Sequence, residues 1–214
     1  MKVEYAELLM NYSGNKIVLN KVGVIFGLTW VILAGCANPF STRDPEPPEQ
    51  NASNFIPPST PDIVFVNLQI AFQERNVENY IRSFVDSTRS TRKFVFVPDL
   101  GVAFNQPGTF EGWDLRDERR YLTQLFQATP DDSLLSLTFI EVSRNEGSTT
   151  ADFTQNYIIQ AHHLRQDKNI PVLYRGQAKF ALEVNNTGDW AIFRWEDISN
   201  DQDPSWSDLK AFFQ

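Results

Sequence analysis

Cysteine and histidine, from which many metal and redox sites are built, are scarce in this sequence. The chain of 214 residues contains one cysteine and two histidines, which excludes an internal disulfide framework, a CxxC redox motif and a four-cysteine zinc site. His162 and His163 are neighbours late in a predicted strand, so their side chains point to opposite faces and cannot bind one metal as a pair. The sequence also lacks a phosphate-binding glycine loop, a nucleophile elbow and an HExxH motif. We therefore predict no metal site and no cofactor.

Positive charge is also in short supply. The chain has 19 lysines and arginines against 27 acidic residues, a formal net charge of -8. Residues 1–36 hold three lysines and two glutamates, which contribute +1, so the remainder carries -9. A surface with this balance repels phosphate backbones, and nucleic acid is not an expected partner. The apolar content of 42% is sufficient for the core of one ordinary domain.

The apolar stretch near the N-terminus is too short for a permanent membrane span. Val22–Leu33 has twelve residues, which as a helix would extend about 18 Å, against a hydrocarbon core of roughly 30 Å. Lys16 and Lys21 precede this stretch, and the small residues Ala34 and Gly35 follow it. This order of basic, apolar and small residues is typical of a secretory signal peptide.

The end of the apolar stretch resembles a bacterial lipobox, carried by Leu33-Ala34-Gly35-Cys36. The resemblance implies that residues 1–35 are a cleaved signal peptide and that Cys36 carries diacylglycerol and a further acyl group such as palmitate. Three acyl chains would anchor the protein stably in a membrane of the cell envelope. Ala37 in place of aspartate implies, by the same analogy, the outer membrane and its periplasmic face. An uncleaved signal anchor, or a buried helix with an incidental cysteine, remains an alternative.

A tether is predicted between the cysteine and a soluble domain. Residues 36–61 contain seven of the twelve prolines of the chain. Proline removes a backbone donor and fixes φ, so neither a helix nor a sheet ladder is expected there. At about 3 Å per residue an extended tether would hold the domain, residues 62–214, clear of the bilayer surface.

The pattern from residue 62 onward predicts helices followed by strands. Apolar residues recur at three- and four-residue spacing in segments 62–72, 76–84, 113–127 and 206–213. Runs rich in β-branched and aromatic residues cover 94–98, 133–142, 153–164, 171–184 and 190–195. Turn residues separate the last four runs, which predicts an antiparallel meander with its apolar face toward the helices. The expected fold class is α+β.

The order of these elements resembles the NTF2-like, cystatin-like fold. The stretches that carry the resemblance are Phe72–Tyr80, Phe94–Asp99, and Asp189–Asp197 followed by Trp206–Phe212. The likeness rests on layout and not on a chemical motif. It implies a cone over residues 62–214, in which N-terminal helices pack on a curved antiparallel sheet of four to five strands. The fold includes SnoaL-type cyclases, ketosteroid isomerases and uncharacterised lipoproteins, and its members are often homodimers.

Four residues are candidates for a pocket inside such a cone. Tyr157 and Tyr174 can donate hydrogen bonds, His163 lies late in a predicted strand, and Arg194 stands beside tryptophans. Each also has a structural interpretation, as a core aromatic, a strand-end histidine or a stacked arginine. Asp99, at a strand end, is expected to form a turn and not to act as a base. No residue is therefore predicted to be catalytic.

Three functional hypotheses follow from these patterns. The first is a non-catalytic envelope lipoprotein that binds a partner protein or a small apolar ligand, because Trp206, Phe212 and Phe213 exceed ordinary core needs. Its ligand version fails if these aromatics are fully buried with no cavity. The second is a SnoaL-like isomerase, cyclase or hydrolase, which requires an acid or histidine beside a tyrosine in a dry cavity. The third is a structural subunit of an envelope assembly.

Overall fold

The computed structural model describes residues 54–165 and 169–214. The predicted signal peptide, Cys36 and the larger part of the predicted tether lie outside these residues. Within the described ranges, no helix combines the length and the apolarity needed to cross a bilayer. Residues 52–214 form one compact unit.

The described part of the chain contains helices first and long strands afterwards, as predicted. In chain order the elements are α1 Pro61–Gln73, α2 Val77–Ile81, β1 Val95–Val97, α3 Leu100–Asn105, α4 Leu115–Ala128, β2 Leu135–Glu146, β3 Thr150–Ala161, β4 Leu173–Val184, β5 Trp190–Ser199 and α5 Trp206–Phe212.

The strands form one five-stranded sheet in the order β1-β5-β4-β3-β2. Strands β2 to β5 pair antiparallel as a meander, and the short strand β1 lies parallel to β5. Register shifts between Glu141 and Ser143 and between Ala181 and Leu182 bend the strands, as bulges do. The predicted α+β class, with helices on a curved and mainly antiparallel sheet, is confirmed.

Side-chain caps explain where the helices begin. Asp114 accepts a hydrogen bond from the backbone N–H of Arg116 and forms a capping box with Asp117 at the start of α4, and Asn76 caps α2. Asp99 forms the expected turn, and this turn starts a helix. Its carboxylate caps α3, with 2.9 Å to the N–H of Gly101. Six residues are too few to show a helical period in sequence.

The core lies between the inner face of the sheet and helices α1, α2 and α4. Alternate residues of β4 from Tyr174 to Leu182 are buried, as the predicted period of two requires. At Gly176 a Cβ would lie 2.4 Å from the hydroxyl of Tyr157, so only glycine fits opposite that ring. Among the described residues, the buried core lies between Val64 and Phe213. The unit of residues 52–214 therefore contains its own hydrophobic core, which is what independent folding requires.

The residues just before α1 pack on the domain. The side chain of Asn67 bonds both the N–H and the carbonyl of Ile56, at 2.9 and 2.7 Å. The carbonyl of Pro58 accepts from the N–H of Trp190 at 2.8 Å. We call residues 54–60 the strap. These contacts pack residues that precede position 62 onto the domain, because prolines that cannot donate still offer carbonyls as acceptors.

Candidate functional site

Helix α5 closes the cone, the space between the concave face of the sheet and the helices. Trp206, Leu209 and Phe213 are fully buried. The ring of Trp206 packs edge-on against Trp195, with centroids 4.4 Å apart, and against Tyr157 at 5.2 Å. We call residues 205–213 the C-terminal plug. Trp206 and Phe213, two of the three aromatics that suggested a ligand site, therefore fill the place where a ligand would sit, while Phe212 is partly buried.

The plug carries a lysine into an aromatic cage. The ammonium of Lys210 lies 3.5 Å from the ring centroid of Phe96 and 3.6 Å from that of Trp195. Tyr121 and Trp113 lie farther away, at 5.3 and 5.5 Å. Ring faces of this kind attract cations, and more strongly where water is excluded. Lys210 thus occupies an ammonium-binding environment built from its own chain.

The carboxylate of Glu118 completes this cage. It forms an ion pair with Lys210, and neither side chain is exposed. It also accepts hydrogen bonds from the indole N–H of Trp113 at 2.7 Å and from the hydroxyl of Tyr80 at 3.3 Å. Burial raises the pKa of Glu118, and the lysine opposes that shift. Burial lowers the pKa of Lys210 to about 8, against the opposing charge of the glutamate.

A chain of hydrogen bonds links the plug to this carboxylate. The indole N–H of Trp206 donates to the hydroxyl of Tyr121 at 3.1 Å, and that hydroxyl lies 3.2 Å from the hydroxyl of Tyr80. Because Tyr80 donates to Glu118, the consistent arrangement has Tyr121 donating to Tyr80. Burial raises the pKa of both tyrosines well above 10, so they remain protonated donors.

A second acid anchors the first turn of the plug. Asp197 accepts from the hydroxyl of Tyr157 at 2.7 Å and from the N–H and hydroxyl of Ser207 at 2.7 and 2.6 Å. The hydroxyl of Tyr157 accepts in turn from the N–H of Trp206 at 2.7 Å. Burial raises the pKa of Asp197, and its three donors oppose that shift. The N-cap of α5 is Ser205, and Asp197 supports the first turn of the helix through Ser207.

These pairs have the residue types of an isomerase site but not its access. Asp197 beside Tyr157 and Glu118 beside Tyr80 each present an acid next to a phenol, and all four side chains are buried. Their polar atoms bond to the plug, to each other, or to the buried side chains of Trp113 and Tyr121. A reacting substrate must come within about 3 Å of its base, and residues 205–213 already occupy that distance. The arrangement stabilises the fold and offers no open reaction centre in this conformation.

The structure places the four predicted pocket residues in three different settings. Tyr157 lies in the Asp197 network. The hydroxyl of Tyr174 and Nε2 of His163 both donate to the carbonyl of Pro171, at 2.6 and 2.9 Å. Arg194 lies on the outer face of β5, half-exposed, 3.7 Å from Glu196. The structure thus brings His163 and Tyr174 together at one carbonyl and leaves Arg194 apart.

The histidines themselves lie beyond their predicted strand. Strand β3 ends at Ala161, so His162 and His163 belong to the connection that follows, and only His163 is buried. Its Nδ1 accepts from the N–H of Arg165 at 3.0 Å, which assigns the ring proton to Nε2. The prediction that both lie late in the strand is wrong, because the strand's pairing with β4 stops at Gln160.

The buried ions of the cone did not enter the sequence interpretation, although a signal for each was present. Glu118 lies three residues before Tyr121 and four before Leu122, so it shares the apolar face of its helix. Lys210 stands four residues after Trp206 and three before Phe213, on the apolar face of α5. A charged residue in register with a buried stripe predicts a buried partner.

An open cleft lies outside the cone. Its volume is about 880 Å³, and its walls include the strap, α2, the loop before β1, the start of α4 and the turn between β4 and β5. Six cationic side chains line it: Arg82, Arg89, Arg92, Lys93, Arg116 and Arg119. Four carboxylates line it as well: Glu78, Asp86, Asp114 and Asp189. We call it the basic cleft. A second surface cleft of about 550 Å³ lies between α1 and β2.

Neither cleft offers a metal centre. In the parts of the chain that the structure describes, no group of three or more histidine, cysteine, aspartate and glutamate side chains is arranged to hold a metal ion. The side chains that line the basic cleft can make ionic and apolar contacts with a ligand.

No protein-family model matches the chain, and no curated protein matches it. Solved structures do. A cystatin-like protein of unknown function from Nostoc punctiforme matches 66% of this chain and 89% of its own, with 10% identity and a TM-score of 0.44. An NTF2-like protein with a cystatin-like fold from Novosphingobium aromaticivorans matches 65% and 79%, with 8% identity and a TM-score of 0.45.

A ketosteroid isomerase-like protein from Erwinia carotovora matches 64% of this chain and 93% of its own, with 12% identity and a TM-score of 0.42. At these identities and scores the neighbours carry no argument about activity. What the chain itself shows is an α+β domain in which helices pack on a curved five-stranded sheet and a C-terminal plug fills the space between them.

Proposed function

We propose that this chain is a lipid-anchored protein of the bacterial envelope whose domain acts by binding and not by catalysis. The observation that carries the non-catalytic part is the C-terminal plug, which occupies the cone and engages both buried acids, Glu118 and Asp197. The anchoring part is supported by the lipobox-like sequence ending at Cys36, outside the described residues.

Binding is proposed to take place on the outside of the domain. The basic cleft, at about 880 Å³, falls within the range of small-molecule sites and has unpaired polar groups at its surface. Binding of an apolar ligand inside the cone is less well supported, since Trp206 and Phe213 are fully buried there and occupy the space. Surface partners, including an envelope protein or a second copy of the chain, fit the remaining version.

The alternative enzymatic proposal requires the plug to leave. A SnoaL-like isomerase, cyclase or hydrolase would use Asp197 or Glu118 with its neighbouring tyrosine, and release of α5 would have to expose them. A role as a structural subunit of an envelope assembly remains a further alternative, which co-purification of a stable complex would favour.

Intact-protein mass spectrometry of the membrane fraction tests the anchoring. The full chain is expressed in a bacterial host beside the variant Cys36→Ala. We expect a wild-type mass that corresponds to a chain starting at residue 36 plus acyl groups, and loss of those groups in the variant. An uncleaved and unacylated wild-type chain would overturn the lipoprotein proposal.

A further inference from the structure

Charge is distributed very unevenly over this molecule. The basic cleft is lined by six cations and four carboxylates, a local excess of +2, while the whole chain carries -8. The rest of the chain therefore sums to -10. An anion is repelled by most of the surface and attracted at this cleft.

Three of the six cations are available to a ligand. Arg92, Arg116 and Arg119 already pair with carboxylates. Arg82, Arg89 and Lys93, by contrast, form no direct ion pair with any residue in 54–165 or 169–214 and are exposed. The carboxylate of Asp86 interacts electrostatically with Arg89 but forms no direct ion pair with it. Exposed guanidinium and ammonium groups without a direct ion pair can donate charge-assisted hydrogen bonds to phosphate oxygens.

Apolar surface lies next to these cations. The guanidinium of Arg82 lies 3.8 Å from the ring centroid of Phe55, which holds it over the cleft wall. Ile81 and Leu115 are partly exposed in the same cleft. The cleft therefore suits an anion that is attached to an apolar group. A free inorganic ion would lose its water on the side that faces the cleft and would make polar contacts only on that side.

The position of the cleft in the chain suggests where such an anion comes from. Phe55 and Pro57 of the strap line the cleft, and the strap is the segment through which the chain arrives from Cys36. The 17 intervening residues would span about 50 Å at the polyproline II rise of about 3 Å per residue. A tether of that length gives an effective concentration on the order of millimolar, so a modest affinity would be sufficient.

We infer that the basic cleft binds the phosphate headgroup of an anionic lipid in the membrane to which the chain is anchored. This inference rests on the proposed function, because anchoring at Cys36 supplies the membrane. Arg82, Arg89 and Lys93 contact the phosphate, and the apolar wall at Phe55 contacts the glycerol and upper acyl region.

Co-sedimentation with vesicles tests the inference. The fragment of residues 52–214, a compact unit that contains the whole of the described core, is mixed with vesicles of phosphatidylcholine alone or of phosphatidylcholine with phosphatidylglycerol. We expect binding only to the second kind. The double variant Arg89→Gln with Lys93→Gln should weaken it about thirtyfold, since each cation near an anionic surface contributes roughly fivefold to sixfold.

The matched control removes two charges elsewhere. Lys179 and Arg194 lie exposed on the outer face of β4 and β5 and do not line the cleft. The variant Lys179→Gln with Arg194→Gln has the same net charge as the cleft variant and should change binding less than about threefold. Equal weakening by both variants would overturn the inference, because net charge and not the cleft would then govern binding.

Two further outcomes separate the ligand sources and the two proposals. Inorganic phosphate can be added to compete with the vesicles for the fragment. If it binds the fragment as strongly as the anionic vesicles do, free phosphate is the ligand and the lipid assignment is overturned. No binding to anionic vesicles, with Cys36 acylated in the full chain, would overturn this inference and leave the proposed function standing. An unacylated Cys36 with cleft-dependent vesicle binding would overturn the proposed anchoring, and with it the assignment to the membrane that holds the chain, and would leave only the affinity of the basic cleft for anionic lipid.

Discussion

The cone interior and the basic cleft use the same chemical groups with opposite results. In both, a cation lies over an aromatic ring: Lys210 is 3.5 Å from the ring of Phe96, and Arg82 is 3.8 Å from the ring of Phe55. Lys210 is fully buried and paired with Glu118, while Arg82 is exposed and has no described carboxylate partner. A cation over an aromatic ring stabilises the fold where it is buried and paired, and can contact a ligand where it is exposed.

The energetic consequences of the two settings also differ. A buried ion pair leaves an uncompensated charge in the core when one member is removed, whereas an exposed pair is screened by water. The Glu118–Lys210 pair is buried and the Arg119–Glu78 pair is exposed. Each pair has one member on helix α4, Glu118 and Arg119. Variants in each setting should therefore separate them clearly.

The largest effect is expected from Lys210→Met. This change keeps much of the side-chain volume but leaves the carboxylate of Glu118 buried without its cation. The free energy of unfolding should fall by about 3 to 5 kcal/mol, measured by urea denaturation at neutral pH. The control Arg119→Met should cost less than about 1 kcal/mol. Equal losses in the two variants would contradict the distinction between the regions.

A charge-neutral double variant sharpens the same comparison. Glu118→Gln combined with Lys210→Met removes both charges, so the remaining cost should be smaller than that of Lys210→Met alone. The same denaturation experiment measures this recovery. A double variant that is as unstable as the sum of the two single changes would show that the two groups are not coupled.

A smaller loss is expected from Tyr157→Phe. The hydroxyl of Tyr157 joins the N–H of Trp206 to the carboxylate of Asp197, and its removal leaves a buried donor unsatisfied. The cost should be about 1 to 3 kcal/mol. Tyr174→Phe is the matched control and should cost about 1 kcal/mol or less, because the carbonyl of Pro171 keeps its bond from His163. A larger loss in Tyr174→Phe than in Tyr157→Phe would contradict the prediction that the hydroxyl of Tyr157 is the main anchor of the plug.

The pH dependence of stability reports on Lys210 directly. Burial lowers its pKa to about 8 in the folded protein, from 10.5 in the unfolded chain. Between these values the unfolded chain holds a proton that the folded protein has released, so stability rises with pH. The wild type should gain up to about 1.4 kcal/mol per pH unit relative to Lys210→Met between about pH 8 and 9.5, below the range in which tyrosine titrates. Parallel curves would contradict the lowered pKa.

The smallest effect is expected in the basic cleft. Arg89→Gln with Lys93→Gln removes two exposed cations without an ion pair in the described residues, so the free energy of unfolding should change by no more than about 0.5 kcal/mol. Thermal unfolding of the fragment measures this. A much larger loss would mean that these cations hold the loop before β1 in place and are not available to a ligand.

Local pattern predicted most of the elements. The helices around Leu68, Tyr80 and Leu122 and the four long strands lie where apolar spacing indicated, because periods of 3.6 and 2 are properties of short segments. Helix α3 escaped this reasoning because it has six residues, and the end of β3 was placed too late because a strand ends where its partner does. Pairing of that kind is invisible in one segment alone.

The candidate site was less accessible to sequence reasoning. The class of residue was readable: tyrosines on the inner face of the sheet and aromatics in α5 were expected to line a pocket. Whether those aromatics line a pocket or fill it depends on where α5 lies relative to β5 and α4, which a sequence pattern does not specify. Glu118 and Lys210 stand 92 residues apart, so their pairing was not visible either.

The sequence alone determined the order of the elements, their inner faces, the acidic balance of the chain and the scarcity of metal-binding residues, since each depends on composition or local spacing. The tertiary structure decided that the cone is closed by a buried lysine and tryptophan and that cations gather in a separate cleft. Both results depend on contacts between distant segments, where enclosure sets the strength of every charge and hydrogen bond.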